Sequence, residues 1–499
     1  MTHFLGKRGA LGVQRALGSL AVVALLLAGC AAEVPTRLDA QQSPGSELVR
    51  RMTFAPLELR IPRIGREVER RVLPNGIVLY LADDRSLPLL QAFAVFRAGS
   101  LFEDPAHPAS ARFTASQLRS GGTETLPFAK LNEELEFLGA SIEASASLEE
   151  ITVSLSALAK DADRALQIFS DIIRRPAFDP TPLKIAKGQA VEDLRRLVDN
   201  PGRLASREFN RSLYTDAHPL GRPLTTGQVA ALERADLVRH HGRFFYPNNM
   251  FLALVGDFSR EQLVTKALVA FGDWAREPAF ALPPVPPVTP RIEQGVRVLP
   301  RDIAQASVIL GHFGTTRENP DRHAIELMDF ILGSSGFNSR LMDRLRTSEG
   351  MTYGAWSSFP TGSNVLGLFR AGLQTKNENV PRAVAGILEE MRRLQVEPVT
   401  AAELDRAKEA IINSFIFRFT SRYGTVTRLL MLEVDGEPAG YYDTLLDRYR
   451  QVTPADIQRA ARQYLHPDHS VVLVVGAAKA FEAALAPFGP VRQIPLDPL

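Results

Sequence analysis

One stretch of this 499-residue chain returns 220 positions later. The run that starts at Asp236 and ends in Tyr246-Pro247-Asn-Asn-Met-Phe-Leu-Ala-Leu-Val-Gly256 matches, without a gap, the run from Asp456 to His466-Pro467-Asp-His-Ser-Val-Val-Leu-Val-Val-Gly476. A second pair, Leu183-x-x-Ala186-Lys187 and Leu404-x-x-Ala407-Lys408, is offset by 221. Two matches at nearly one offset mark a duplication, and a duplication confines the chain to two copies of one folding unit. The length alone already asks for more than one ordinary core. Between the copies lies EPAFALPPVPPVTP, with five prolines over 283–290. Proline there forbids helix and favours an extended spacer. The expected division is therefore 61–276, a linker at 277–292, and 293–499.

Within each copy, strand and helix signals mix. Residues 76–82 (GIVLYLA) and 250–256 (MFLALVG) are short β-rich runs bounded by turn residues. Residues 183–198 carry apolar side chains at Leu183, Ala186, Ala190, Leu194 and Leu197, a helical period, with Pro182 just ahead. Residues 404–417 and 324–332 read in the same way. The expected class is α+β: in each half, helices packed on one face of a largely antiparallel sheet.

The N-terminus differs from the rest. Lys7, Arg8 and Arg15 precede an apolar run at 17–28 that ends in Leu27-Ala28-Gly29-Cys30. The run is too short to span a bilayer and reads as a secretory signal over 1–29. A small-residue site ending in cysteine resembles a bacterial lipobox. That resemblance implies a lipidated Cys30, an anchor on the periplasmic side and, because Ala31 follows, the outer membrane. Residues 30–60 read as a polar tether. Cys30 is the chain's one cysteine, so no disulfide forms within a molecule. Removing the signal leaves 55 basic against 56 acidic residues, and nothing in that balance points to nucleic acid.

The stretch Ala109-Ser-Ala-Arg-Phe-Thr-Ala-Ser-Gln-Leu-Arg-Ser-Gly-Gly-Thr123, with FRAGSLFEDP before it and LNEELEFLGASIEAS after it, resembles the N-terminal half of the M16 (pitrilysin/insulinase) zinc peptidases. The resemblance implies a helix that carries H-x-x-E-H, two zinc-binding histidines and a base. Here the three places fall on Arg112, Ala115 and Ser116, or on Phe113, Ser116 and Gln117 without the gap. Neither choice leaves a ligand pair. A catalytic zinc needs three protein ligands and an open position. Glu192 matches the family's third ligand, but one carboxylate does not hold the ion, so Glu192 is expected to be a surface charge. Among the histidines, His240 and His241 point about 100° apart on a helix. His218 sits in a turn, and His466 and His469 lie before the last strand of the repeat. His107 is the nearest substitute ligand and is a weak one.

The second half keeps more of the pattern. Gly333-Ser-Ser-Gly336-Phe-Asn-Ser-Arg-Leu341, followed by Leu345-Arg346-Thr-Ser-Glu-Gly350-Met-Thr-Tyr353, resembles the family's glycine loop and its arginine-to-tyrosine segment. In active relatives that arginine and tyrosine reach substrate bound at the zinc. Arginine suits peptide carbonyls, and a tyrosine hydroxyl suits an oxyanion. The plain alternative is a surface arginine and a half-buried tyrosine at a strand start. The mitochondrial processing peptidase, with a glycine loop near substrate in its non-catalytic subunit, implies a weaker parallel for Gly333 and Gly336.

The family implies two homologous sandwich domains in a clam shell. It also implies division of labour, in which a partner chain brings H-x-x-E-H and zinc while this one binds no metal and supplies Arg346 and Tyr353 to a peptide substrate. The alternatives are an inactive peptide-binding or scaffold lipoprotein, and an autonomous metalloendopeptidase with an atypical site.

Overall fold

A computed structural model describes residues 51–52, 61–216, 218–289 and 294–496. The signal, Cys30 and the tether at 30–60 lie outside the described residues apart from Arg51 and Met52. Residues Arg60–Leu499 make one compact unit.

The first half contributes strands β1 (Glu69–Val72), β2 (Val78–Asp83), β3 (Leu89–Phe96), β4 (Ser141–Ala146), β5 (Ile151–Leu158) and β6 (Met250–Gly256). They form a six-stranded sheet in the order β1-β2-β6-β3-β5-β4. The second half contributes β7 (Gly295–Pro300), β8 (Gln305–Phe313), β9 (Ala355–Ser358), β10 (Leu368–Lys376), β11 (Val471–Gly476) and β12 (Val491–Gln493), ordered β12-β7-β11-β8-β10-β9. Most neighbours are antiparallel. The β2–β6 and β7–β11 pairs are parallel, as is β12 on β7. The repeat seen in the sequence is the repeat of the sheets. Strands β6 and β11 hold the same central place, flanked by β2 and β3 in one sheet and by β7 and β8 in the other.

The helices of the first half are α1 (Ser110–Ser120), α2 (Phe128–Leu138), α3 (Ala162–Arg174), α4 (Pro180–Arg195), α5 (Pro201–Tyr214), α6 (Thr226–Ala231), α7 (Arg234–Phe244) and α8 (Arg260–Phe271). Those of the second are α9 (Arg322–Asp329), α10 (Val380–Val396), α11 (Ala401–Phe415), α12 (Arg422–Val434), α13 (Tyr441–Gln451) and α14 (Pro454–Tyr464), with a one-turn piece at Arg340–Met342. Helices α7 and α14 are copies at the 220-residue offset, and α4 and α11 are copies at 221. Helix α4 starts earlier than Pro182 suggests. The Asp179 side chain accepts from the Thr181 amide at 2.7 Å, and Pro180 takes the first helical position, where no amide is needed.

One feature goes beyond helices on a single face. Strands β6 and β11 are buried at every position, which requires cover on both sides. The second cover comes from the other half. Helix α5, from the first half, packs on β8 and β11, while α12, from the second, packs on β2, β3 and β6. Leu204, Ala205, Phe209 and Leu213 of α5 share one apolar cluster with Ile309, Val471, Leu473 and Val475 of the second sheet. On α12, Glu433 takes a two-pronged bond from Arg70 (2.6 Å to each oxygen) and accepts from the Tyr80 hydroxyl at 2.6 Å, which pins the helix to β1 and β2. The arginine holds the Glu433 carboxyl below the usual carboxylate range. Over 280–289 the proline-rich linker has neither helix nor strand. It is laid down rather than free, because Leu282, Val285 and Val288 pack on the first core.

Candidate functional site

Helix α1 begins without a cap of the ordinary kind. Ala109 sits in the left-handed region (φ +68°) and its side chain has nothing to offer the exposed amides. Those amides carry the positive end of the helix dipole. Glu103 supplies what is missing, accepting from the Ala109 amide at 2.9 Å and the Ala111 amide at 2.7 Å. Burial nevertheless pushes its carboxyl up to about 7, against the pull of both amides.

On that helix Arg112 is exposed, Ala115 is buried and Ser116 is half-buried. In the ungapped register, Phe113 and Gln117 are buried in or beside the core. No side chain at either set of positions is a zinc ligand. Glu192 is exposed on α4 and pairs with Arg195 at 2.6 Å, as a surface charge one turn away does. The residues present do not fit the ion. Among the described residues, no three His, Cys, Asp or Glu side chains gather as a metal-holding group.

The histidines hold the fold. The two neighbours on α7 serve different partners: His240 Nε2 meets the Ala98 carbonyl at 2.9 Å, and His241 Nε2 meets that of Ile173 at 2.7 Å. Burial pushes both down to about 4, so both are neutral at pH 7. His107 Nδ1 lies 2.9 Å from Asp236, a carboxylate already used in the capping box of α7. His218 Nδ1 accepts from the Leu220 amide, and its ring stacks on Tyr214. His466 offers its backbone amide to His312 Nε2 at 3.0 Å.

In the second half, Arg346 lies within the π-helical turn Asp343–Ser348. Gly350, at φ +61°, then reverses the chain. The reversal is closed by the Gly350 amide on the Arg346 carbonyl (3.1 Å) and the Met351 amide on that of Leu345 (2.9 Å). Only glycine takes this conformation without strain. The Thr352 hydroxyl donates to the Gln374 carbonyl (2.7 Å) and accepts from the Gly354 amide (3.1 Å), which holds Tyr353 two residues ahead of β9. Tyr353 is 89% exposed, not half-buried, and its hydroxyl has no partner among the described residues. The Arg346 guanidinium has no carboxylate partner either and lies over the exposed Phe337 ring at 4.4 Å.

Beneath Tyr353 is a hollow of about 340 Å³, lined by Trp356, Gln374 and Ser307, and by Gly202 and Ser206 at the head of α5. The exchanged helix therefore builds one wall. Gly333 lies in a π-helical turn where an added Cβ would stand 2.3 Å from the Ser357 amide nitrogen, so close packing against β9 demands glycine. Gly336 faces open space at φ +64°.

Sequence reasoning missed two sets of residues. Phe337 and Trp356 surround Arg346 and Tyr353 with exposed aromatic surface, which the motif gave no sign of. Glu103 and Arg222 share a hollow with Arg112 across more than a hundred residues of chain. Only the unusual cap of α1 could have hinted at Glu103.

Two family descriptions match: Insulinase (Peptidase family M16) over residues 91–226, and Peptidase M16 inactive domain over residues 231–411. A Rickettsia bellii protein described as an uncharacterized zinc protease is 24% identical over 345 residues, 68% of this chain and 81% of its own length. The Helicobacter pylori non-peptidase homolog YmxG is 25% identical over 401 residues, 79% of this chain and 89% of its own. Among solved structures, a peptidase M16 inactive domain from Pseudomonas fluorescens superposes with a TM-score of 0.74 at 26% identity, covering 82% of this chain and 98% of that one. The periplasmic protease PqqL from Escherichia coli shares the fold at a TM-score of 0.70 and 16% identity, with 87% of this chain matched to 50% of that one.

Proposed function

The chain belongs to peptidase family M16, and from that membership we propose that it is the non-catalytic, substrate-binding subunit of a two-chain peptidase. The partner brings H-x-x-E-H and the zinc. This chain brings Arg346 and Tyr353. The observation that carries the reading is their state: among the described residues, a guanidinium with no carboxylate and a tyrosine, 89% exposed, whose hydroxyl has no partner, on a chain whose α1 holds no zinc ligand. A turn closed by Gly350 and Thr352 holds this tyrosine in place.

The chemistry asked of the pair is binding and charge stabilisation in trans. Arg346 offers fixed donors to peptide carbonyls. The Tyr353 hydroxyl donates to the oxyanion that forms when a carbonyl is attacked in the partner's site. The free edge of β4, six residues of small and alternating side chains, suits an extended peptide added as a further strand. In the mixed complex, Tyr353→Phe should lower kcat by roughly 10²-fold, the scale for one lost oxyanion donor. Unchanged turnover removes the role.

The cell envelope is the proposed location, in keeping with the lipobox at Cys30 and the periplasmic relative of the same fold. Cys30→Ser is expected to move the chain from the membrane fraction to the soluble one. A variant that still sediments with membranes rules the anchor out.

A further inference from the structure

A second hollow, of about 460 Å³, opens at the head of α1, where an active relative would carry its first zinc ligand. Arg112 stands at its mouth and Arg222 forms part of its wall. Neither guanidinium has a hydrogen-bond or ion-pair partner among the described residues, and the Nε of Arg222 is buried without one. A buried, unpaired guanidinium nitrogen is expensive, because its desolvation is not repaid. Glu103 acts on Arg222 through its charge alone, without a hydrogen bond or ion pair to it. Both oxygens of Glu103 are taken by the α1 amides, and the Asp104 carboxylate accepts from the Ala106 amide at 2.9 Å. The rest of the wall mixes apolar Leu148, Leu220 and Leu224 with polar Ser100, Ser147 and Gln228.

We infer that this hollow binds the terminal carboxylate of a peptide, with Arg112 and Arg222 on the carboxylate and the last side chain against Leu148, Leu220 and Leu224. Two guanidiniums converging on one carboxylate form the strong, charge-assisted kind of hydrogen bond. A size of about 460 Å³ is in the range of small-ligand sites. The wall also includes Ala146, Ser147 and Leu148, the direct continuation of β4. A peptide laid parallel to that free edge would run its carboxyl end into the hollow. The loss of the metal ligands thus left a place that grips a chain end instead of cutting within a chain. This binding needs no partner subunit, so it stands or falls apart from the role given to Tyr353.

The test uses the purified chain and one peptide, N-terminally fluorescein-labelled Ala-Ala-Ala-Ala-Leu, as free acid and as C-terminal amide. Fluorescence anisotropy should give a Kd at least about tenfold lower for the acid, and the Arg112→Gln/Arg222→Gln variant should bind the two forms alike. Should that variant lose the wild-type melting transition, Arg112→Gln alone carries the test, since Arg112 is exposed and supports no packing. Equal affinity for acid and amide, no binding of either, or a preference that survives in the variant overturns the inference.

Discussion

Replacing Phe209 by alanine tests the exchange of helices most directly. Phe209 belongs to the first half by sequence, yet its ring is fully buried in the cluster under the second sheet, beside Ile309, Val471 and Leu473. Truncating a buried phenylalanine costs about 3–5 kcal/mol, the sum of lost transfer energy and the cavity left behind. Unfolding entropy is about 2.1 cal/mol/K per residue, or roughly 0.9 kcal/mol/K for a unit of this size. The melting temperature should therefore fall by about 3–5 °C. Hydrogen exchange locates the damage. At that energy, amides that exchange through opening of the second sheet speed up by roughly two to four orders of magnitude. The expected site is β8 and β11, more than 90 residues further along the chain. If those strands keep wild-type exchange while α5 and the first sheet lose protection, α5 does not cover the second sheet and the argument fails. The reciprocal variant, Leu430→Ala in α12, should expose β2, β3 and β6. Leu430 is buried and lies at helical spacing from Tyr423 and Glu433, which touch Phe93 and Tyr80.

Three further outcomes follow from the site. Because burial raises Glu103 to about 7 in the folded chain, above its unfolded value of 4.5, the stability held by its protonated form is full below pH 4.5. That stability is lost as pH rises through about 7. A thermal-stability profile across this window should lose one proton's worth of slope in Glu103→Gln, and an unaltered profile refutes the assignment. Tyr353→Phe should cut turnover of the mixed complex while leaving the preference for acid over amide peptides intact, since the two hollows share no lining residue. Cys30→Ser should release the chain from membranes without altering either property.

Much of this protein is legible without coordinates. The 220-residue offset determined that two copies of one sheet-and-helix unit exist, because similar local patterns fold into similar local elements: α7 and α14, β6 and β11. The missing ligands at Arg112, Ala115 and Ser116 are a matter of side-chain chemistry, which no packing restores. The spacing from Arg346 to Tyr353 carries over as a turn, since Gly350 alone can reverse the chain there. What the tertiary structure decided is which surfaces meet. An apolar stripe on α5 or α12 says that the helix must be buried, not against which sheet, because hydrophobic attraction has no direction. Likewise, a sequence lists its arginines but not which lack a partner. Among the described residues, the Arg222 Nε is left without a hydrogen bond, and Tyr353 left in water, only by where the folded backbone sets the neighbouring carboxylates and carbonyls.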